Sequence, residues 1–200
     1  MIRLKNLLLE DVVNDIEFRD EVKTFEGDPP EDENGNFVTF DDAVFPSKPY
    51  DPESGAPRGT LTIGWGHTGE YAKPGNTITP AQAEELLTAD ITSKEQRAKQ
   101  TFTEYSNFTL PVQRAIVNIL FRGNLGPKTT SLIKTSPVDW NSVADEYLNS
   151  NEYRREEKKS MERRARTGTK ALAVPDTNIY RRMNKNAERF RSAAPSGGRG

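Results

Sequence analysis

Strand-forming sequence is scarce in this chain. Its clearest run, Leu61-Thr62-Ile63, is hemmed in by Gly59 before it and by Gly64 and Gly66 around Trp65 after it. Glycines at that density end a strand and let the backbone turn closely, so the run predicts one short strand beside a small sheet. Downstream, Thr79-Pro80-Ala81-Gln82 carries every element of a helix start. The threonine caps, proline fits the first helical position, and Gln82 closes a capping box. Ala83, Leu86, Leu87 and Ile91 then continue at helical spacing to about Gln100. Further helical patterns run from Pro111 to Arg122, stopped by Gly123, over Trp140, Val143, Ala144, Tyr147 and Leu148, and from Met183 to Phe190. Residues 6–25 read as an N-terminal helix on Leu9, Val12, Val13, Ile16 and Val22, ending at Glu26-Gly27. The polar stretch from Asp28 to Pro57 separates that helix from the strand, with Asn34-Gly35 marking a short hairpin inside it. The fold class expected is α+β, a small antiparallel sheet lobe packed beside a mainly helical C-terminal lobe.

A length of 200 residues suits a single domain, read here as residues 1–191 with an acidic loop insertion at 28–57 and a flexible Ser/Gly/Pro-rich tail at 192–200. With 34% hydrophobic residues the core is modest. There is no cysteine, which excludes a disulfide scaffold, a zinc–cysteine site and a cysteine nucleophile. The net charge of −2 conceals a gradient: residues 1–57 hold 15 acidic and 5 basic groups, and residues 151–200 hold 6 acidic and 14 basic. The basic segment Arg154, Arg155, Lys158, Lys159, Arg163, Arg164 and Arg166 is interleaved with Glu152, Glu156, Glu157 and Glu162, and has Tyr153 as its one aromatic. That pattern fits a solvated helix better than a nucleic-acid surface. No apolar run approaches the ~20 residues needed to cross a bilayer, and the N-terminus lacks a signal-peptide core, so stable membrane insertion is not expected.

The residues richest in chemistry are Glu26 at a helix end, Tyr50-Asp51-Pro52, and Gly59 to Thr68. Two carboxylates and a hydroxyl gathered beside a small sheet are a kit for acid/base hydrolysis. Spacing alone is weak support, because 30 carboxylates offer many such sets. The acids Asp28, Glu31, Asp32 and Glu33 fit no EF-hand spacing, and no metal is expected.

Thr62-Ile63-Gly64-Trp65-Gly66-His67-Thr68, preceded by Glu26-Gly27 and Tyr50-Asp51, resembles the signature of the phage lysozymes of glycoside hydrolase family 24, which include the T-even phage lysozyme and many endolysins. The similarity continues through Ile78 to Asp90, then more weakly at Ala115–Phe121 and Arg181-Arg182-Met183. The resemblance implies a muramidase that cuts the β-1,4 bond between N-acetylmuramic acid and N-acetylglucosamine. It makes Glu26 the general acid, expected to be partly buried at a cleft wall, Asp51 the second carboxylate and Thr62 a hydroxyl that helps hold the attacking water. Inversion would follow if the carboxyl groups lie roughly 6.5–9.5 Å apart. No cofactor is implied.

The same resemblance gives supporting positions. His67 and Asp90 are expected to pair, and Arg182, or Arg181 beside it, to hold Glu26. Phe121 and Arg122 fall where the family lines its saccharide groove, although an amide is usual at the second. Trp65 is read equally as a sugar platform or as core, and Asn118 as a packing amide. The departure lies in the connections: 24 residues separate Glu26 from Asp51 and 10 separate Asp51 from Thr62, so Asp41 and Asp42 remain alternatives for the second carboxylate. The partners implied are peptidoglycan glycan strands met by a monomer. The protein would be made in the host cytoplasm and act at the wall, either exported with a holin or carried among virion proteins. The contrary reading is a non-catalytic adaptor of a phage particle that kept the lysozyme fold.

Overall fold

The computed structural model describes residues 11–44, 47–167 and 177–195. They form an α+β fold, with seven α-helices and five short strands among the described residues. These residues group into two compact units. One unit is Asp15–Ser93, and the other joins the described residues before Asp15 to those from Lys94 onward.

The Asp15–Ser93 unit opens with α1 (Ile16–Glu26), whose N-cap Asp15 accepts a 3.0 Å bond from the Phe18 amide. The continuous helix expected over residues 6–25 is therefore broken. A short 3-10 turn, Val12–Asn14, precedes the cap, and residues 1–10 lie outside the described set. Aspartate at position 15 does this because its short carboxylate competes for the amides of the next turn. After α1, Asp32 accepts from the amides of Asn34 and Asn36, and Glu31 bridges to Phe37 across the Asn34-Gly35 turn. The hairpin expected there is a tight turn with a single bridge.

The strands are β1 (Phe37–Val38), β2 (Phe40–Asp41), β3 (Leu61–Ile63), β4 (His67–Thr68) and β5 (Thr77–Ile78). β1 pairs antiparallel with β5, and β3 runs between β2 and β4 with Thr62 opposite Phe40 on one side and Thr68 on the other. Phe40 also bridges to Pro49 on its far edge. Phe37, Ile63, Ala72, Ile78 and Ala83 form the core of this unit, with Leu61, Trp65 and Leu86 packed against it. Gly64 has φ +56°, and a Cβ there would lie 3.3 Å from the Ala83 side chain. The strand end thus needs glycine both for its dihedral and for its close approach to the helix. That helix, α2 (Pro80–Thr101), begins with the reciprocal bonds expected of the capping box: Gln82 N to Thr79 Oγ1 at 3.2 Å and Thr79 N to Gln82 Oε1 at 2.9 Å.

The helical unit contains α3 (Leu110–Arg122), α4 (Pro127–Ile133), α5 (Trp140–Leu148), α6 (Asn151–Thr167) and α7 (Asn178–Arg191). Val112, Ala115, Ile116, Val117, Ile119 and Leu120 of α3 are all buried, and Gly123 ends the helix in the left-handed conformation. Phe190 of α7 stacks on Trp140 with ring centroids 5.9 Å apart and meets Tyr147 edge-on at 6.2 Å. α6 departs from a fully solvated helix. Its Glu156 and Ser160 are buried, and Lys159 holds Glu156 at 2.7 Å. Burial alone would raise the Glu156 carboxyl, but Lys159, Thr177 and Arg155 hold it below the usual range. Of the tail expected at 192–200, Ser192, Ala193 and Ala194 continue from α7 with backbone bonds back into it, and residues 196–200 lie outside the described set. No helix among the described residues is long and apolar enough to cross a membrane.

Candidate active site

Glu26 is the last residue of α1, and Gly27 (φ +82°) turns the chain away while its amide bonds the Lys23 carbonyl. The partial burial expected for this carboxylate is not seen. Glu26 is exposed, at the last helical position before a reversing glycine. What fixes that end of α1 lies one and two turns earlier. Arg19 Nη2 meets Glu84 Oε2 of α2 at 2.8 Å, Lys23 Nζ bonds the other Glu84 oxygen, and Lys23 also sits 4.7 Å above the Trp65 ring. Burial pushes the Glu84 carboxyl up, but Lys23 and Arg19 outweigh it and hold the group below its ordinary value.

Thr62 is 5% exposed on the middle strand, and its hydroxyl donates to the Thr60 carbonyl at 3.1 Å. Asp51 is exposed and caps the 3-10 turn Pro52–Ser54, accepting from Glu53 N at 2.9 Å through one oxygen. It follows directly on the Phe40–Pro49 bridge and on Tyr50, whose amide bonds the Thr39 carbonyl. Asp51 and Thr62 therefore flank the same strand, β2, from opposite edges.

The two alternatives for the second carboxylate have structural work instead. Asp41 is buried, and its oxygens accept from the amides of Ala43 (3.0 Å), Gly59 (2.9 Å) and Arg58 (2.6 Å). Asp42 Oδ1 accepts from Thr60 N at 2.7 Å, and a Cβ on Gly59 would fall 2.1 Å from that same oxygen. Together they clasp the chain where it returns to β3, and Gly59 is the residue that allows it. Burial would raise the Asp41 carboxyl, yet the three amides and the nearby Arg58 guanidinium keep it below its ordinary value. A depressed folded value means that this clasp contributes fully above the ordinary value of 3.8 and is lost as pH falls through the folded one. Asp41→Asn is accordingly expected to lower Tm at neutral pH and to flatten the acid limb of a Tm–pH curve below about pH 4. An unchanged acid limb would remove Asp41 from that role.

His67 Nδ1 lies 2.9 Å from Asp90 Oδ2, with both side chains mostly covered, which ties β4 to α2. Asp90→Ala is expected to cost about 1 kcal/mol, readable by urea unfolding at mildly acidic pH. Trp65 sits edge-on to Phe37 at 5.1 Å beneath Lys23, so its ring is engaged in packing.

Within the helical unit, Arg182 is 2% exposed and donates from Nε to Asn118 Oδ1 at 2.6 Å, with its guanidinium 5.8 Å from the Phe121 ring. Arg181 is exposed. The structure thus separates two residues that the sequence left equivalent. Asn118 is fully buried and also accepts from Asn186, a packing amide as expected. Arg122 is ion-paired to Glu152 at 2.6 Å. Glu152 also accepts from Asn124, so the Arg122 guanidinium serves an internal bond.

The family model for phage lysozyme matches residues 45–167. The chain belongs to the phage lysozyme family. Membership gives it the general class of a lysozyme-type glycoside hydrolase acting on the bacterial cell wall, and the α+β architecture is that of a lysozyme-like fold. The family match takes in Asp51, Thr62, Trp65, His67, Asp90, Phe121 and Arg122. It leaves Asp41 and Asp42 outside, along with Glu26 and Arg182. Comparisons with curated proteins and with solved structures gave no match.

Proposed function

We propose that this phage lysozyme-family chain is a muramidase, hydrolysing the β-1,4 bond between N-acetylmuramic acid and N-acetylglucosamine in peptidoglycan with inversion. The observation that carries the reading is the family match over the segment that holds Asp51 and Thr62. Glu26 protonates the leaving oxygen as general acid. Asp51 stabilises positive charge on the sugar and, with the Thr62 hydroxyl, orients the water that attacks from the far face. Asp51 is favoured over its neighbours because Asp41 spends both oxygens on backbone amides and both Asp41 and Asp42 clasp the return to β3. Asp51 keeps one oxygen beyond its cap bond, and it alone of the three lies in the matched segment. Glu26 is exposed in the free protein, so exclusion of water from it falls to the bound glycan. Export with a holin and carriage in a virion both remain consistent with this chemistry. The test is product analysis of digested peptidoglycan. New muramic-acid reducing ends of inverted anomeric configuration are expected, whereas N-acetylglucosamine reducing ends, or none, would defeat the proposal.

A further inference from the structure

Three consecutive residues, Thr39-Phe40-Asp41, hold the segment that carries Asp51 and the strand that carries Thr62. On one edge the Thr39 carbonyl accepts from Tyr50 N at 2.8 Å and Phe40 bridges to Pro49. Those contacts seat the chain immediately before Asp51. On the other edge Phe40 pairs with Thr62 and Asp41 with Leu61. The Asp41 side chain joins what remains. One of its oxygens takes the amides of Ala43, where the chain leaves β2, and of Gly59, where it returns. The second takes Arg58 N, so the segment from Pro49 to Arg58 is fastened at both ends.

A carboxylate suits this place because three N–H donors converge on it and it only accepts. An asparagine would turn its NH2 group toward one of those donors. The grip matters because β2 has two residues and β3 three. Strands so short pin their own register weakly, and a slip of one residue would turn Thr62 to the opposite face. Given the muramidase reading, on which this inference rests, Asp51 and Thr62 aim one water between them, and small displacements of either are costly.

We infer that Asp41 is a positioning residue for this reaction, setting Asp51 and Thr62 at the spacing the attacking water needs through its grip on residues 43, 58 and 59. Asp41→Asn is expected to lower kcat on peptidoglycan about 10–100-fold, with KM within about twofold of wild type, measured well below its thermal midpoint. Gly59→Ala disturbs the clasp from the other side with Asp41 intact. Its Cβ would lie 2.1 Å from Asp42 Oδ1 and 2.9 Å from Ala43 N, and the same loss of kcat is expected. Asp32→Asn is the control, because Asp32 also accepts two backbone amides, from Asn34 and Asn36, at a turn without a site residue. It is expected to lower the thermal midpoint and leave kcat unchanged. Amide hydrogen exchange reads the grip without turnover. Exchange at Tyr50 and Glu53, whose bonds seat Asp51, is expected to quicken in Asp41→Asn. Wild-type kcat in either clasp variant, an equal loss in Asp32→Asn, or unchanged exchange overturns the positioning role and leaves the muramidase standing. A wild-type protein that cuts no glycan overturns the muramidase reading and the positioning role with it.

Discussion

Glu26→Gln lowers turnover of peptidoglycan by about 10²–10⁴-fold while leaving the thermal midpoint close to that of the wild type. The substitution keeps the volume and planarity of the side chain and removes the acidic group whose proton the leaving oxygen must receive. The change falls at the exposed end of α1. The bonds that fix that helix, from Arg19 and Lys23 to Glu84, lie one and two turns upstream. Clearing of outer-membrane-permeabilised cells, followed by light scattering, gives the rate, and circular dichroism gives the midpoint. Equal clearing by Glu26→Gln and wild type would move the acid elsewhere. Absence of clearing by the wild type itself would favour an adaptor that kept the fold and lost the chemistry. Asp51→Asn is the natural companion, because full activity in that variant would return the second carboxylate to Asp42.

Phe190→Ala is the largest stability effect expected, about 3–5 kcal/mol. The ring is fully buried, lies parallel to Trp140 at 5.9 Å and takes the edge of Tyr147 at 6.2 Å. Its removal leaves a cavity that its two aromatic neighbours cannot readily collapse, since Trp140 is itself held edge-on by Phe108 at 5.1 Å. With typical domain stabilities of about 5–15 kcal/mol, the helical unit of this variant would sit near its unfolding threshold. Denaturant unfolding followed by tryptophan fluorescence reads this directly through Trp140. A loss under about 1 kcal/mol would mean that the aromatic stack contributes little beyond filling space.

The parts of the fold that could be read in advance are those whose physics is local. The Thr79–Gln82 capping box needs only four residues, and its two reciprocal bonds are both present. The α3 pattern and its Gly123 stop are equally self-contained. What sequence reasoning missed depends on chain returning from elsewhere. Nothing near Asp41 announces that amides at 58 and 59 will come back to it, and no spacing rule separates Arg182 from Arg181 before α7 has docked on Asn118. In sequence Glu156 belongs to a run that is almost all charged, and only the later chain, with Thr177 set near it, makes its surroundings interior. Asp15 is the exception that local chemistry can reveal, because an aspartate immediately before an apolar-periodic run, here starting at Ile16, is itself a helix-start signal.

The 3-10 turn at Val12–Asn14 belongs to the unit that resumes only at Lys94, and it packs on α3 with Val12 fully buried. The Asp15–Ser93 unit is thus spliced into the middle of its host. As the chain leaves the ribosome, Val12 must wait for partners about 100 positions later, and joining ends that far apart costs roughly 4 kcal/mol of loop entropy. A prefolded Asp15–Ser93 unit would shorten that loop by holding its own two ends in place. The connectivity therefore favours a route in which the strand-bearing segment folds before the Val12–Asn14 turn docks, because that shortens the loop to be closed.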